Sequence, residues 1–516
     1  MNIKKEKKTL TSAEWIGLLL GIAIIFGAFV RFLPGLMAGF PLNDGGMFLS
    51  MIRDLKNSGY ALPEVTSYNG LNIPFAYPPF GFYFARLISD LLAVPELTLL
   101  RWLPPLINSF SILAFFLLAS EIMRSKPLGA LASAFYALTP GAFGWFVMGG
   151  GLTRSFGSLF LLLTVYSALR LFQSGEKKFT ALSILFGGLT VLSHPEAGFH
   201  AAVTCILVWI FFGRTVQSLL NSILVGAGVL LLTAPWWGTV ISFHGLTPFL
   251  SAVHTGSYGT PFWKALFGLI VGDGVIPILV VLRLIGLGWG VWKKQYFLLA
   301  WVLIPYLVEP RSAPSVSFYP MTMLIALAFA EAIPYWVSKI RSSTFALDEL
   351  HKNTAYNAVL FLVLTLLFVD SSLYGFRLVG NSLKPADLDA MSWIQTNTSE
   401  DALFLPLTGN PSPEIDPFIE WFPALADRRS QATIQGLEWT LAEKFFLRYT
   451  DLAKLQTCVS TSCVIEWSQR TGLDYQYVVL RETGVSEELI DSFAGSNEFQ
   501  KIYSNNGVSV FERIAE

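Results

Sequence analysis

The sequence predicts an α-helical polytopic membrane protein of about 11 spans with a small C-terminal α/β extracytoplasmic domain. Three observations point there. Long apolar runs fill residues 13–376, whereas residues 380–516 read like an ordinary soluble domain. The 516-residue chain is 53% hydrophobic and only 14% charged, against roughly 25% charged residues in soluble domains. The short basic clusters gather on one side once the apolar runs are threaded alternately through a bilayer. A net charge of −1 gives no electrostatic case for a nucleic-acid partner. The 42 Phe and 15 Trp supply lipid-facing and interfacial surface, so the bilayer itself is the expected partner.

Taken in order, the N-terminus carries Lys4, Lys5, Lys7 and Lys8 before an apolar run from Trp15 to Val30. That run is long for a signal-peptide core and lacks a small-residue cleavage site, so it reads as an uncleaved first span starting in the cytoplasm. Spans are expected near 14–36, 100–123, 128–147, 156–173, 179–193, 200–213, 216–235, 264–292, 296–309, 319–338 and 355–376. Residues 79–95 are apolar but hold Arg86 and Asp90, and read as an interfacial or re-entrant helix. This count places Arg124 and Lys126, Lys177 and Lys178, Arg214, Lys293 and Lys294, and Lys339, Arg341 and Lys352 in cytoplasmic turns. Counting 79–95 as a span would send those clusters outside, against the positive-inside rule. The division is therefore a transmembrane part, 1–378, with a first outer loop at 38–99, and an extracytoplasmic domain, 379–516.

The tail opens with a helix around Asp387–Gln395 and continues with strand-like runs at Ala402–Leu405, Tyr477–Leu480 and Val508–Phe511, the last after an Asn505-Asn506-Gly507 turn. Glu420-Trp421-Phe422-Pro423, Asp427-Arg428-Arg429-Ser430 and Gln435-Gly436-Leu437-Glu438-Trp439 look like exposed loop residues that cover the cavity or contact an acceptor, though packing the domain onto the membrane part is the favoured reading. Cys205 lies in an apolar run and reads as a packing residue. Cys458 and Cys463 are compatible with a local disulfide or with two free thiols. The sequence shows no internal repeat and no zinc-ligand spacing.

The same threading sends several ionisable groups to the outer face. They are Asn43-Asp44, Gly149-Gly150-Gly151-Leu152-Thr153-Arg154, His194-Pro195-Glu196, the segment from His244 to His254, and Glu309-Pro310-Arg311. Together they suggest an outward-facing cavity. Asp44 is an acid just past the first span, followed by two glycines that allow a tight turn and a close ligand approach. It is placed to cap the helix starting near Gly46, or to act as a general base or cation ligand at the cavity mouth. A Gly-rich turn before a helix, with Arg154, suits an anion. Arg311 is the second phosphate candidate, unless it pairs with Glu309 across Pro310. His194 and Glu196 sit at a helix break where a capped end, a proton relay or part of a metal site are all readable; two ligands alone define no metal site. Asp273, between two glycines, is a further candidate, since a charge there must face protein or water.

The loop continues Ile73-Pro74-Phe75-Ala76-Tyr77-Pro78-Pro79-Phe80-Gly81. A long first outer loop with an acid just after the first span, an interfacial helix and this Tyr-Pro-Pro-Phe-Gly entry resembles the GT-C glycosyltransferases. These include protein O-mannosyltransferases, aminoarabinose lipid A transferases and oligosaccharyltransferase catalytic subunits. The resemblance covers most of the chain and implies a GT-C-like fold and a hexosyl- or pentosyltransferase of the cell membrane. Such an enzyme moves a sugar from a polyprenyl-phosphate carrier to a lipid, glycan or protein acceptor outside. It matches Asp44 to the first-loop catalytic acid, with Glu196 the next acid to consider. Asn43, Tyr77, Arg154, His194, His244, His254, Glu309 and Arg311 are the substrate-binding candidates. A divalent cation, magnesium or manganese, would draw on Asp44, His194 and Glu196. The acidic pair of many members is here a single Asp beside Asn43, so a strict metal requirement does not carry over. The Trp-Trp-Asp-Tyr-Gly signature of oligosaccharyltransferases is absent, which argues against N-glycan transfer. The reading from a different class is a transporter, flippase or polysaccharide-export component. Ionisable groups at the outer rim rather than at the midplane favour the enzyme.

Overall fold

The structure is a computed structural model that describes residues 10–256, 262–272, 274–341 and 347–514. Helix α1 (Ser12–Ala38) starts in a capping box, Thr11 and Glu14 satisfying each other's backbone N–H groups. The first outer loop follows. It contains α2 (Gly46–Asn57), the paired two-residue strands β1 (Val65–Thr66) and β2 (Ile73–Pro74), and α3 (Phe80–Leu92). The membrane part continues with α4 (Glu96–Ile122), α5 (Lys126–Ala137), α6 (Gly151–Ser174), α7 (Lys177–Ser193), α8 (Pro195–Phe212) and α9 (Val216–His244). After these come α10 (Thr247–Gly256), α11 (Phe262–Val271), α12 (Ile278–Trp292), α13 (Tyr296–Val308), α14 (Ala313–Leu327), α15 (Ile333–Arg341) and α16 (Thr354–Leu378).

Among the described residues, seven helical stretches are long and apolar enough to cross a bilayer: α1, α4, α6, α8, α9, the α14–α15 rod and α16. Helices α11, α12 and α13 are apolar but shorter. Helix α3 has 13 residues, about 20 Å at 1.5 Å per residue, too short for a bilayer core of about 30 Å. It is amphipathic, and Arg86 on it pairs with both Asp90 and Glu96. By length it is not one of the helices able to cross a bilayer.

Two expected spans differ from the sequence reading. The span at 128–147 is helical only to Ala137, after which the chain turns irregularly through Pro140 and Gly144 to Gly150. Helix α5 is nearly enclosed by α1, α4 and α14. Non-helical backbone at membrane depth is tolerated where protein, not lipid, surrounds it. The span at 264–292 is two helices, α11 and α12, separated around Gly272, whose φ of 72° ends the first. Asp273, in that break, lies outside the described residues.

The membrane core holds a buried charge. Arg31 on α1 is 0% exposed. It donates to Asn108 Oδ1 at 2.6 Å and to the carbonyls of Gly27 and Ala137 at 2.9 and 2.8 Å. Its guanidinium also lies over the rings of Tyr136 and Phe143. These acceptors are neutral.

The tail contains α17 (Pro385–Asn397), α18 (Pro417–Ala426), α19 (Phe445–Leu455), α20 (Thr461–Thr471) and α21 (Glu487–Ala494) around a five-stranded sheet. Its strands are β3 (Leu403–Leu407), β4 (Arg429–Ser430), β5 (Tyr477–Arg481), β6 (Phe499–Asn505) and β7 (Val508–Arg513), in the order β4-β3-β5-β7-β6. The β3 pairings are parallel and the β7 pairings antiparallel, with Asn506 and Gly507 at positive φ in the β6–β7 turn. Cys458, just after α19, is disulfide-bonded to Cys463 in the first turn of α20. The tail does not pack separately from the first outer loop. One hydrophobic cluster joins Phe48, Ile52, Tyr68 and Phe82 of the loop to Phe404, Phe418, Trp421 and Phe422 of the tail.

Candidate functional site

The site begins where the chain leaves α1. Asn43 has φ 52° and Gly45 φ 146°, and together they turn the Asp44 side chain toward the start of α6. A Cβ at Gly45 would stand 2.7 Å from the Trp421 ring, so both conformation and space demand glycine there. On the facing side, a Cβ at Gly149 would strike the Asp44 carbonyl and one at Gly150 its carboxylate. The run Gly149-Gly150-Gly151 is thus a seat for Asp44 at the N-terminus of α6.

Asp44 is held there from two directions. The Gly150 N–H donates to the Asp44 carbonyl at 2.9 Å and to Oδ1 at 3.1 Å. Arg154 Nη2 reaches both carboxylate oxygens, at 3.0 and 2.9 Å. Arg154 Nε donates to the Trp145 carbonyl, and the guanidinium lies over the Trp145 ring. The pair is partly open, with side-chain exposures of 22% for Arg154 and 26% for Asp44. The helix N-terminus therefore receives its anion, as the Gly-rich turn predicts, and the anion is the protein's own carboxylate.

The expectation that Asp44 caps α2 is not met, because its side chain points to α6 instead. The cap position of α2 is Gly45, which has no side chain to offer. The exposed N–H groups of α2 are met by a residue of the tail. Glu420 on α18 accepts from Gly45 and Gly46 at Oε2, at 3.1 and 2.9 Å, and from Met47 at Oε1, at 3.1 Å. Next to it, Trp421 Nε1 donates to the Asn43 carbonyl at 2.8 Å, and the Tyr68 hydroxyl donates to the Glu420 carbonyl at 2.6 Å. The Glu420–Pro423 segment expected as an exposed loop is thus a buried part of α18, with Glu420 at 3% and Trp421 at 0% exposure, whereas Asp427 and Arg429 are exposed. Burial, followed by the nearby Asp44 charge, pushes the Glu420 pKa up to about 7 against the lowering effect of its three N–H donors.

Tyr77, His194, Glu196, Glu309 and Arg311 fall into a neighbouring group. The Tyr77 hydroxyl lies 3.4 Å from Thr153 Oγ1, one residue before Arg154, and burial pushes its pKa well up. The Tyr77 ring also meets His194 and Trp439, with centroids 6.2 and 6.1 Å apart. His194 caps α8, its Nδ1 accepting from Ala197 N–H at 3.4 Å. Glu196, in the first turn of α8, faces Arg311 Nε at 3.9 Å. Glu309 takes the backbone N–H groups of Arg311 and Ser312, and the Ser312 hydroxyl. Arg311 therefore meets Glu309 through its backbone and Glu196 through its side chain, which stays 64% exposed. His244 ends α9 and bonds the Glu64 carbonyl at 2.7 Å, apart from this group. His254 is in α10, but its side chain lies outside the described residues.

The sequence reading missed His200, and it named Glu420 and Trp439 only within tail segments, without their partners. His200, 1% exposed on α8, places Nε2 2.9 Å from Ser312 Oγ and 3.4 Å from Glu309. Its only sequence signal is a histidine inside an apolar helix. Trp439 packs on Tyr77 from the tail, and Glu420 reaches back across the whole chain.

A divalent cation is not well served by this donor set. Asp44 is paired with a guanidinium, His194 Nδ1 faces a backbone N–H, and Glu196 faces Arg311. Among the described residues, no three His, Cys, Asp or Glu side chains gather as a metal site would require.

No family model and no curated protein matches the sequence. The fold does match solved structures. The archaeal oligosaccharyltransferase AglB of Archaeoglobus fulgidus, solved with an inhibitory peptide and a dolichol-phosphate, superposes with TM-score 0.58 at 14% identity, covering 91% of this chain and 69% of that one. ArnT of Cupriavidus metallidurans, bound to undecaprenyl phosphate, gives TM-score 0.54 at 13% identity over 97% of this chain and 98% of that one. The arabinofuranosyltransferase AftD from mycobacteria gives 0.52 at 14% identity over 99% of this chain and 42% of that one. At these identities the likeness is one of fold. The chain has the GT-C fold and is a multi-pass membrane protein.

Proposed function

We propose that this protein is a membrane glycosyltransferase that moves a sugar from a polyprenyl-phosphate carrier to an acceptor on the outer face of the membrane, with Asp44 as general base. One observation carries the reading: an acid and an arginine are paired, partly open, where the first outer loop meets the N-terminus of α6. This arrangement sits in a fold whose solved examples include proteins bound to dolichol-phosphate and undecaprenyl phosphate. Residues 1–378 would form the membrane part and residues 379–516 the extracytoplasmic domain. The N-terminus and the basic turns would face the cytoplasm. The Cys458–Cys463 disulfide supports an oxidising location for the tail.

The chemistry is an inverting displacement. The acceptor nucleophile attacks the anomeric carbon, its proton passes to the Asp44 carboxylate, and the bond from that carbon to the phosphate oxygen breaks. The electron pair leaves with the phosphate, whose charge Arg154, with Arg311, stabilises. A donor phosphate competes with Asp44 for the same guanidinium. Donor docking and release of the base then become one exchange of partners at Arg154. The residues around Asp44 do not fit a resident cation, so charge stabilisation falls to the arginines.

The test is sugar transfer by purified protein from a polyprenyl-phosphate donor, comparing the native chain with Asp44→Asn. Asparagine keeps the shape and loses the proton-accepting charge. Transfer is expected to fall by about two to four orders of magnitude at unchanged expression. Near-normal transfer removes Asp44 from catalysis and leaves Glu196 as the next acid. Failure of the native protein with every lipid-phosphate sugar returns the chain to the transport reading. Orientation is checked separately in intact cells. Cysteines replacing Lys177 and Lys293 should resist an impermeant thiol reagent, and one replacing Thr398 should react.

A further inference from the structure

We propose that Glu420 of the tail is a positioning residue for Asp44, making the C-terminal domain a working part of the catalytic loop rather than a passive cover. The proposal rests on the reading of Asp44 as the base. The argument begins with a deficiency in the loop. Helix α2 starts immediately after Asp44, and its first N–H groups have no partner within the helix. The loop offers none, because the cap position is Gly45 and Asp44 is turned toward α6. Glu420 meets three consecutive N–H groups, those of Gly45, Gly46 and Met47, with both carboxylate oxygens.

The contact is built from several parts. A Cβ at Gly46 would stand 2.7 Å from the Glu420 carbonyl, so the backbones of α2 and α18 touch closely. Trp421 holds the Asn43 carbonyl on the other side of Asp44, and its ring fills the space beside Gly45 and packs edge-on against Phe40. Residues 43, 45, 46 and 47 are each tied to α18, and Asp44 lies between them. Its φ and ψ are thereby set by the tail, and its carboxylate is delivered to Gly150 and Arg154. Glu420 touches neither Arg154 nor the facing glycine run in any hydrogen bond, so it acts through the backbone of the loop.

Glu420→Gln tests this. The amide keeps one acceptor oxygen but aims an N–H₂ group at N–H donors. The expected result is a turnover number lowered by roughly 10–100-fold, the scale of a small misplacement of a reacting group, with KM for donor little changed. Hydrogen exchange at Gly45, Gly46 and Met47 should quicken, while exchange in α4 and α6 stays at the native rate. Trp421→Phe keeps an aromatic side chain, smaller than the indole, and drops the N–H to Asn43. It should move both readouts the same way by less, and it decides the matter if Glu420→Gln does not fold. Native turnover with native protection in the folded variant overturns the proposal. So does a loss that appears only as a raised KM. Hydrogen exchange needs no substrate, so quickened exchange in a protein whose native form transfers no sugar would sink the Asp44 reading while leaving the structural link intact.

Discussion

Two arginines on long membrane helices stand in opposite circumstances. Arg31 in α1 is sealed in the membrane core, and its partners are an amide oxygen, two backbone carbonyls and two aromatic faces. Arg154 in α6 is at the rim, partly open, and its partner is a carboxylate. A buried guanidinium held by neutral groups has nothing to exchange with, because removing it strands acceptors that cannot reach water. A rim guanidinium held by an acid can trade that acid for another anion at small cost. The difference separates a charge that organises the bundle from one available for chemistry.

The comparison can be broken in order of effect. Arg31→Leu should be the most damaging change, because it strands Asn108 Oδ1 and two carbonyls at about 1–3 kcal/mol for each buried acceptor left unsatisfied. It would appear as loss of a monodisperse species in detergent or a large fall in melting temperature. Arg154→Ala should melt close to the native protein but lose about 1.5–3 kcal/mol of transition-state stabilisation, roughly 10–100-fold in donor turnover. If it melts as badly as Arg31→Leu, the two arginines are alike and the distinction fails. The smallest effect sharpens the contrast with a buried group that does titrate. Glu420 has a folded pKa of about 7 against an ordinary 4.5. The native state thus holds the proton that the unfolded state gives up between these values. Stability from this group is full below pH 4.5, falls as pH rises toward about 7, and is flat above. Asp44 faces the same carboxyl and is present in both proteins compared. Melting temperature against pH for the native chain, minus that for Glu420→Gln, should show this slope. A flat difference would show that Glu420 does not titrate in that range.

Much of the architecture was legible because lipid imposes a simple code. Apolar length recovers α1, α4, α6, α8, α9, the α14–α15 rod and α16 as helices long enough to cross a bilayer. The segment read as interfacial, 79–95, holds the 13-residue α3, which is not one of them. The breaks after Ala137 and around Gly272 were not legible. Hydropathy cannot tell a helix from irregular apolar chain that neighbouring helices enclose. In the site, the glycine run and Arg154 read from the sequence as a place for an anion, but that Asp44 supplies that anion did not follow from it. Which helix end Asp44 serves did not follow, since both α2 and α6 offer free N–H groups and only the fold decides. Glu420 lay in plain view as the single charge within Phe418-Ile419-Glu420-Trp421-Phe422, flanked by residues that had to be buried. A lone acid in such a run announces a partner without naming it.

The link between Glu420 and the start of α2 spans 374 residues of chain, and this has a consequence for synthesis. At about 5–20 residues per second, the first outer loop waits some twenty seconds to more than a minute for its partner to emerge. Throughout that interval the amides beside Asp44 have only water to meet. A nascent chain inserted through α16 has every membrane helix in place and still lacks the group that closes the loop. Maturation of the site is therefore timed by the synthesis of α18, and products truncated before residue 420 would lack the group that meets these amides.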